Sequence, residues 1–105
     1  MSTDSLDDYD LWLLEAAAGG PSSIEELSER GNVPKSTAYR RVPILAERGL
    51  LEFHKRDSGI GRPALIYTIT ELGVQELRTF TDSLRKTLDR VARVVESFGP
   101  NPNGT

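Results

Sequence analysis

At Leu50 the hydrophobic period of this chain changes, and at Thr70 it changes back. Before Leu50 the apolar residues recur every three or four positions, as on one face of a helix. From Leu51 to Ile69 they alternate, as on a strand. After Thr70 the three-four spacing returns and holds its register to Phe98. Such a chain folds as helices interrupted by a single β-hairpin, so the class is mainly α. With 105 residues the sequence is the size of one domain.

The punctuation divides the helical part. Residues 6–18 predict a first helix, with Leu6, Tyr9, Leu13 and Ala17 in register and Trp12, Leu14 and Ala16 widening the stripe; Gly19-Gly20-Pro21 stops it. Residues 23–30 predict a short second helix. Ser22 with Glu25 and Ser23 with Glu26 both fit a capping box, and the spacing leaves both open. Gly31-Asn32 supplies a tight turn, Val33 is a lone apolar plug, and Pro34 opens a third helix over 34–48. Its inner face is Ala38, Val42, Leu45 and Ala46. Ser36, Arg40 and Glu47 lie near the opposite pole, flanked by Thr37 and Tyr39. Pro43 is interior to this helix, where it removes a backbone bond to Tyr39, so a kink or loosened turn is expected there.

The alternating runs, from Leu50 to Arg56 and from Leu65 to Ile69, are joined by a turn-rich loop, Asp57-Ser58-Gly59-Ile60-Gly61-Arg62-Pro63. Thr70 caps a last helix over 71–98. There Val74, Leu77, Thr81, Leu84, Leu88, Val91, Val95 and Phe98 fall at alternating steps of three and four, the pattern of a coiled-coil seam. Tyr9, Trp12, Phe53 and Tyr67 are assigned to the core or its edge, and His54 to the surface.

Charge is sorted along the chain. Residues 1–29 hold eight acids and no base; residues 30–63 hold eight bases (Arg30, Lys35, Arg40, Arg41, Arg48, Lys55, Arg56 and Arg62) against three acids. A basic segment inside an acidic protein is the footprint of a polyanion site, because phosphates respond to local potential. Without cysteine and with one histidine, the sequence offers no thiol nucleophile, no disulfide and no zinc site. No nucleophile–base pair or phosphate-cradling glycine loop follows a strand, so an enzyme is not expected, nor a cofactor or a metal. No apolar run suits a membrane span, and the acidic MSTDSLDD is unlike a secretory leader, so a cytoplasmic protein is expected.

A short helix, a glycine turn, a second helix and a hairpin form a helix-turn-helix followed by a wing. Ser23–Arg30, Val33–Arg41, Leu45–Leu51, Gly61-Arg62-Pro63 and Tyr67–Gly73 resemble the winged helix-turn-helix transcription regulators, in particular PadR-like and MarR-like repressors. The resemblance implies a winged domain over 6–73 and a long C-terminal dimerisation helix over 74–98. Residues 1–5 and 99–105 are then flexible termini. It also implies a homodimeric, double-stranded-DNA-binding repressor on a near-palindromic operator. The third helix supplies Lys35, Ser36, Thr37, Tyr39 and Arg40 to the major groove, with Arg40 the first choice for a base, and Arg41, closer to the core flank, to a phosphate. Lys55 and Arg56 face phosphates, and Arg62 reaches the minor groove. Val74, Leu77, Leu84, Leu88, Val91, Val95 and Phe98 pair the copies. Pro43 departs from the pattern, which expects a polar or basic residue. The alternative is a winged-helix protein-interaction module in a larger assembly. The sequence identifies no effector and no operator.

Overall fold

The computed structural model describes residues 6–56 and 64–99. Helix α1 spans Asp8–Ala17. It starts two residues later than the periodicity suggests, because Asp7 caps it. The Asp7 carboxylate accepts from the Asp10 N–H at 3.0 Å, and the Asp10 carboxylate accepts from the Asp7 N–H at 3.2 Å. Helix α2 spans Ile24–Gly31, and its capping box is Ser23 with Glu26. Ser22, the other candidate cap, exchanges two backbone hydrogen bonds with Tyr67, at 3.0 and 2.7 Å. That bridge ties the α1–α2 loop to the hairpin. Asn32 turns the chain with φ of 54°, in the left-handed region its short side chain tolerates. The Val33 N–H then donates to the Ser28 carbonyl at 2.9 Å, and the Ser28 hydroxyl donates to the Val33 carbonyl at 2.6 Å.

Helix α3 spans Lys35–Glu47 and runs unbroken through Pro43, with no loosened turn. Both Tyr39 and Pro43 are exposed, so the carbonyl deprived of its partner is on the solvent side of the helix, where water can take the place of the missing N–H. Strands β1, Leu51–Arg56, and β2, Ala64–Ile69, pair antiparallel from Leu51 opposite Ile69 to Arg56 opposite Ala64. Their connecting loop, with Arg62, lies outside the described residues. Helix α4 spans Glu71–Ser97, and the Thr70 hydroxyl accepts from the Gly73 N–H at 3.0 Å. Gly73 is required here: a Cβ would lie 2.7 Å from Ile69 Cγ1 and closer still to the Leu50 carbonyl oxygen.

One core holds these elements. Leu13, Leu14, Leu27, Val42, Leu45 and Leu51 are fully buried, with Val33, Ala38, Leu50 and Tyr67 beside them. Two aromatics expected there are not. Trp12 is 43% exposed and Phe53 53% exposed. Trp12 projects about 100° round α1 from Leu13, just past the buried arc, and Leu11 is buried instead. Phe53 lies two residues beyond Leu51, on the open groove between the wing and the second half of α3.

Helix α4 departs from the expected seam in two ways. Its first turns lie on their own domain: Leu77 packs against the core and Val74 is half-buried. Beyond them Leu84, Leu88, Val91, Val95 and Phe98 are exposed, and Phe80 and Val94 are exposed beside them, so the stripe is broader than a narrow seam. The projecting helix gives extents of 63 × 32 × 23 Å and a radius of gyration of 18.3 Å, against ~13 Å for a compact chain of this length. Among the described residues no helix is long and apolar enough to cross a membrane.

Candidate nucleic-acid interface

The N-terminal half of α3 is built to present its polar side outward. Ala38, Val42 and Leu45 anchor one face in the core, which leaves Lys35, Ser36 and Arg40 exposed and Thr37 half-exposed. The helix begins on Pro34, which offers no side-chain acceptor. By contrast α1, α2 and α4 are capped by Asp7, Ser23 and Thr70. The first amides of α3 therefore stay open, at the end of a helix where the dipole favours an anion.

The structure divides the central bases by what they touch. Arg41 does not stand with its neighbours. It pairs with Asp7 and, at 3.3 Å, with Asp10, and its guanidinium carbon lies 5.9 Å from the Tyr9 ring centre. Its Nε is enclosed without a hydrogen-bond partner among the described residues. The phosphate contact expected of Arg41 is thus replaced by a clamp between α3 and the start of α1, whose acids occupy the side chain. Arg30 is likewise turned inward, donating from Nη1 to the Ser22 hydroxyl at 2.5 Å and to the Ala16 carbonyl at 3.5 Å. Tyr39, also expected at the groove, donates its hydroxyl to the Glu25 carboxylate at 2.7 Å, which links α3 to α2. That hydrogen bond, first among the causes, raises the Tyr39 pKa.

Lys35, Arg40, Lys55 and Arg56 form no ion pair with any described residue. They do not all share one side. Strand alternation puts Lys55 with Phe53 on the face toward α3, and Arg56 with His54 and Glu52 on the other. The His54 ring nitrogen Nε2 lies 3.3 Å from the Thr68 hydroxyl. The surface that combines an open helix start, Ser36, Thr37 and cations without an ion pair among the described residues is therefore the exposed side of Lys35–Arg40.

Four helices, a helix-turn-helix and a two-stranded wing make this chain a winged helix-turn-helix transcription regulator. The IclR helix-turn-helix domain matches residues 12–55, from within α1 to within β1. Among solved structures the chain is similar to the transcriptional regulator BldR from Sulfolobus solfataricus, at 30% identity and a TM-score of 0.68, over 90% of this chain and 66% of that one. It is similar to a PadR family regulator from Clostridium difficile R20291, at 12% identity and a TM-score of 0.71, over 85% and 99% of the two chains. A third likeness is Bacillus subtilis PadR, solved in complex with operator DNA, at 21% identity and a TM-score of 0.61, over 70% of this chain and 45% of PadR. No curated protein matches the chain. These relatives are transcription regulators and not enzymes.

Proposed function

We propose that this chain binds double-stranded DNA sequence-specifically as a homodimer and represses transcription by occupying its operator. The observation that carries this reading is the start of α3: an uncapped helix end with Lys35, Ser36, Thr37 and Arg40 presented outward and no acid among the described residues holding the two cations. Such an end suits the major groove, with the open amides on phosphate and the Arg40 guanidinium on guanine O6 and N7. Lys55 then lies on the backbone next to the groove that α3 enters, and Arg56, on the far face of the wing, follows the strand only where DNA curves past it. PadR, similar in fold, is solved with operator DNA, which supports the same docking here. Two copies joined along α4 set half-sites ~34–36 Å apart on a near-palindrome.

Selection of bound genomic fragments followed by gel shifts tests the proposal. Arg40→Ala is expected to lose ~1–3 kcal/mol of discrimination at one base position. Lys55→Ala is expected to weaken all sequences alike and to flatten the salt dependence by about one charge. Affinity of the unaltered protein that does not change with salt refutes the proposal, and so does a failure of any fragment to be retained. That second result favours a winged-helix module for protein partners.

A further inference from the structure

The hydroxyl of Tyr39 is engaged, and its ring is not. The hydroxyl donates to the Glu25 carboxylate at 2.7 Å, tying α3 to α2. The residue nevertheless stays 47% exposed. A single aromatic in water is ordinary, but the place of this one is not. It is the only aromatic residue of α3 and sits on the flank of the face that carries Ser36 and Arg40. Lys35 stands one turn before it on the same side.

The charged groups of α2 and of the first half of α3 divide by what they touch. Glu25 holds the Tyr39 hydroxyl, and the Glu26 carboxylate accepts from the Ser23 N–H. Arg30 donates to Ser22 and Arg41 pairs with Asp7. Glu29, Lys35 and Arg40 remain exposed. In this setting Tyr39 is a poor phosphate ligand. Its one hydroxyl proton is in a charge-assisted bond, stronger than a bond between neutral groups. Reaching a phosphate would break that bond and leave Glu25 beside a second anion. What Tyr39 brings to DNA is therefore its ring. Held by the backbone of α3 at one end and by Glu25 at the other, the ring has little rotamer freedom to lose on binding. Among the base edges of the major groove, one apolar group suits such a surface: the C5-methyl of thymine.

We propose that the Tyr39 ring packs on a thymine methyl in the major groove and so specifies thymine at one operator position. This rests on the docking proposed above, in which the first half of α3 enters that groove. The position of the thymine follows from the chain. The Cα atoms of Tyr39 and Arg40 are ~3.8 Å apart, close to the ~3.4 Å spacing of stacked bases, so the thymine lies within about two base pairs of the guanine held by Arg40.

The test uses the full chain and an operator recovered by fragment selection, with deoxyuridine replacing thymidine at one position at a time. Uracil pairs as thymine does and lacks only the methyl. The base position that Arg40→Ala relaxes locates the guanine. At a thymine within reach of it, uracil should weaken the unaltered protein about three- to fivefold, the worth of one buried methyl. In Tyr39→Ala the two DNAs should bind alike. Tyr39→Phe keeps the ring and should keep the discrimination. Each ratio compares two DNAs on one protein preparation, so a loss of folded protein cancels. The proposal is overturned by an operator with no thymine within reach of that guanine, by a uracil scan that is flat there, or by discrimination that survives in Tyr39→Ala. It is also overturned if Tyr39→Phe weakens every sequence alike, which would put the hydroxyl on a phosphate. Binding that ignores salt removes the docking and this inference with it; a flat scan alongside salt-dependent, Arg40-dependent binding removes this inference alone.

Discussion

At the scale of single residues, Arg41 is the clearest case of a side chain whose type misleads until its surroundings are known. Its position on α3 and its charge suit a phosphate. The fold brings Asp7 and Asp10 beside it, across 31 positions of sequence in the case of Asp10. The acids at the start of α1 were legible as part of the acidic stretch 1–29; their use as a clamp was not, because nothing local links residues 7–10 to 41. Burial of the Asp7 carboxylate opposes its ionisation, but the Asp10 amide and the Arg41 guanidinium outweigh that and hold its pKa below 3.8. The unfolded chain therefore takes up the proton first as pH falls. The contribution of Asp7 is complete above its unfolded value and is lost as pH drops through the lower folded one. In urea denaturation the gap between the unaltered protein and Asp7→Asn should be present at neutral pH and close in acid below 3.8. Arg41→Ala should cost about 1–2 kcal/mol, because it leaves the buried Asp10 unpaired. Its DNA affinity, measured at equal folded concentration, should change little; a loss as large as that of Arg40→Ala would return Arg41 to the DNA face.

At the scale of elements, the order of helices and hairpin, and most boundaries to within two residues, followed from periodicity and caps. What was not legible came from contacts between elements. The capping choice was settled by the sheet: Ser22 is held by Tyr67, which leaves Ser23 to cap α2. The outward placement of Lys35, Ser36, Thr37 and Arg40 followed from the wheel of α3, whereas Tyr39 and Arg41 are engaged by α2 and α1. Pro43 is the element-scale anomaly. A proline interior to a straight helix costs ~3 kcal/mol, yet α3 continues through it on the exposed side. Pro43→Ala should restore the bond to the Tyr39 carbonyl. The gain should be about 1 kcal/mol and not the full cost, since a carbonyl on the solvent side exchanges a bond to water for the new one. A raised urea midpoint with unchanged helical circular dichroism is the expected result. A lowered midpoint would mean that the proline ring is needed for packing against the wing.

At the scale of the whole molecule, the proposed dimer turns on α4. Beyond Leu77 it touches little of its own domain, and Leu88, near the middle of its free length, is 59% exposed in the single chain. A helix of 27 residues, about 40 Å long by its rise, with an apolar stripe along one side, is not stable as a lone projection in water. In the proposed dimer a second copy along that stripe would supply the missing cover and, by its two-fold symmetry, a second α3. Leu88→Glu tests the arrangement without disturbing the winged domain, because the first turns of α4 that pack on the core are untouched. Analytical ultracentrifugation should give a dimer for the unaltered protein and a monomer for the variant. Operator affinity should fall by a factor of ~10² or more, since the second half-site no longer binds as part of one molecule. Thermal unfolding of the unaltered protein should become more stable with concentration, and that dependence should vanish in the variant. If the variant stays dimeric, the two copies meet elsewhere, and the exposed face of α1 around Trp12 becomes the surface to alter next.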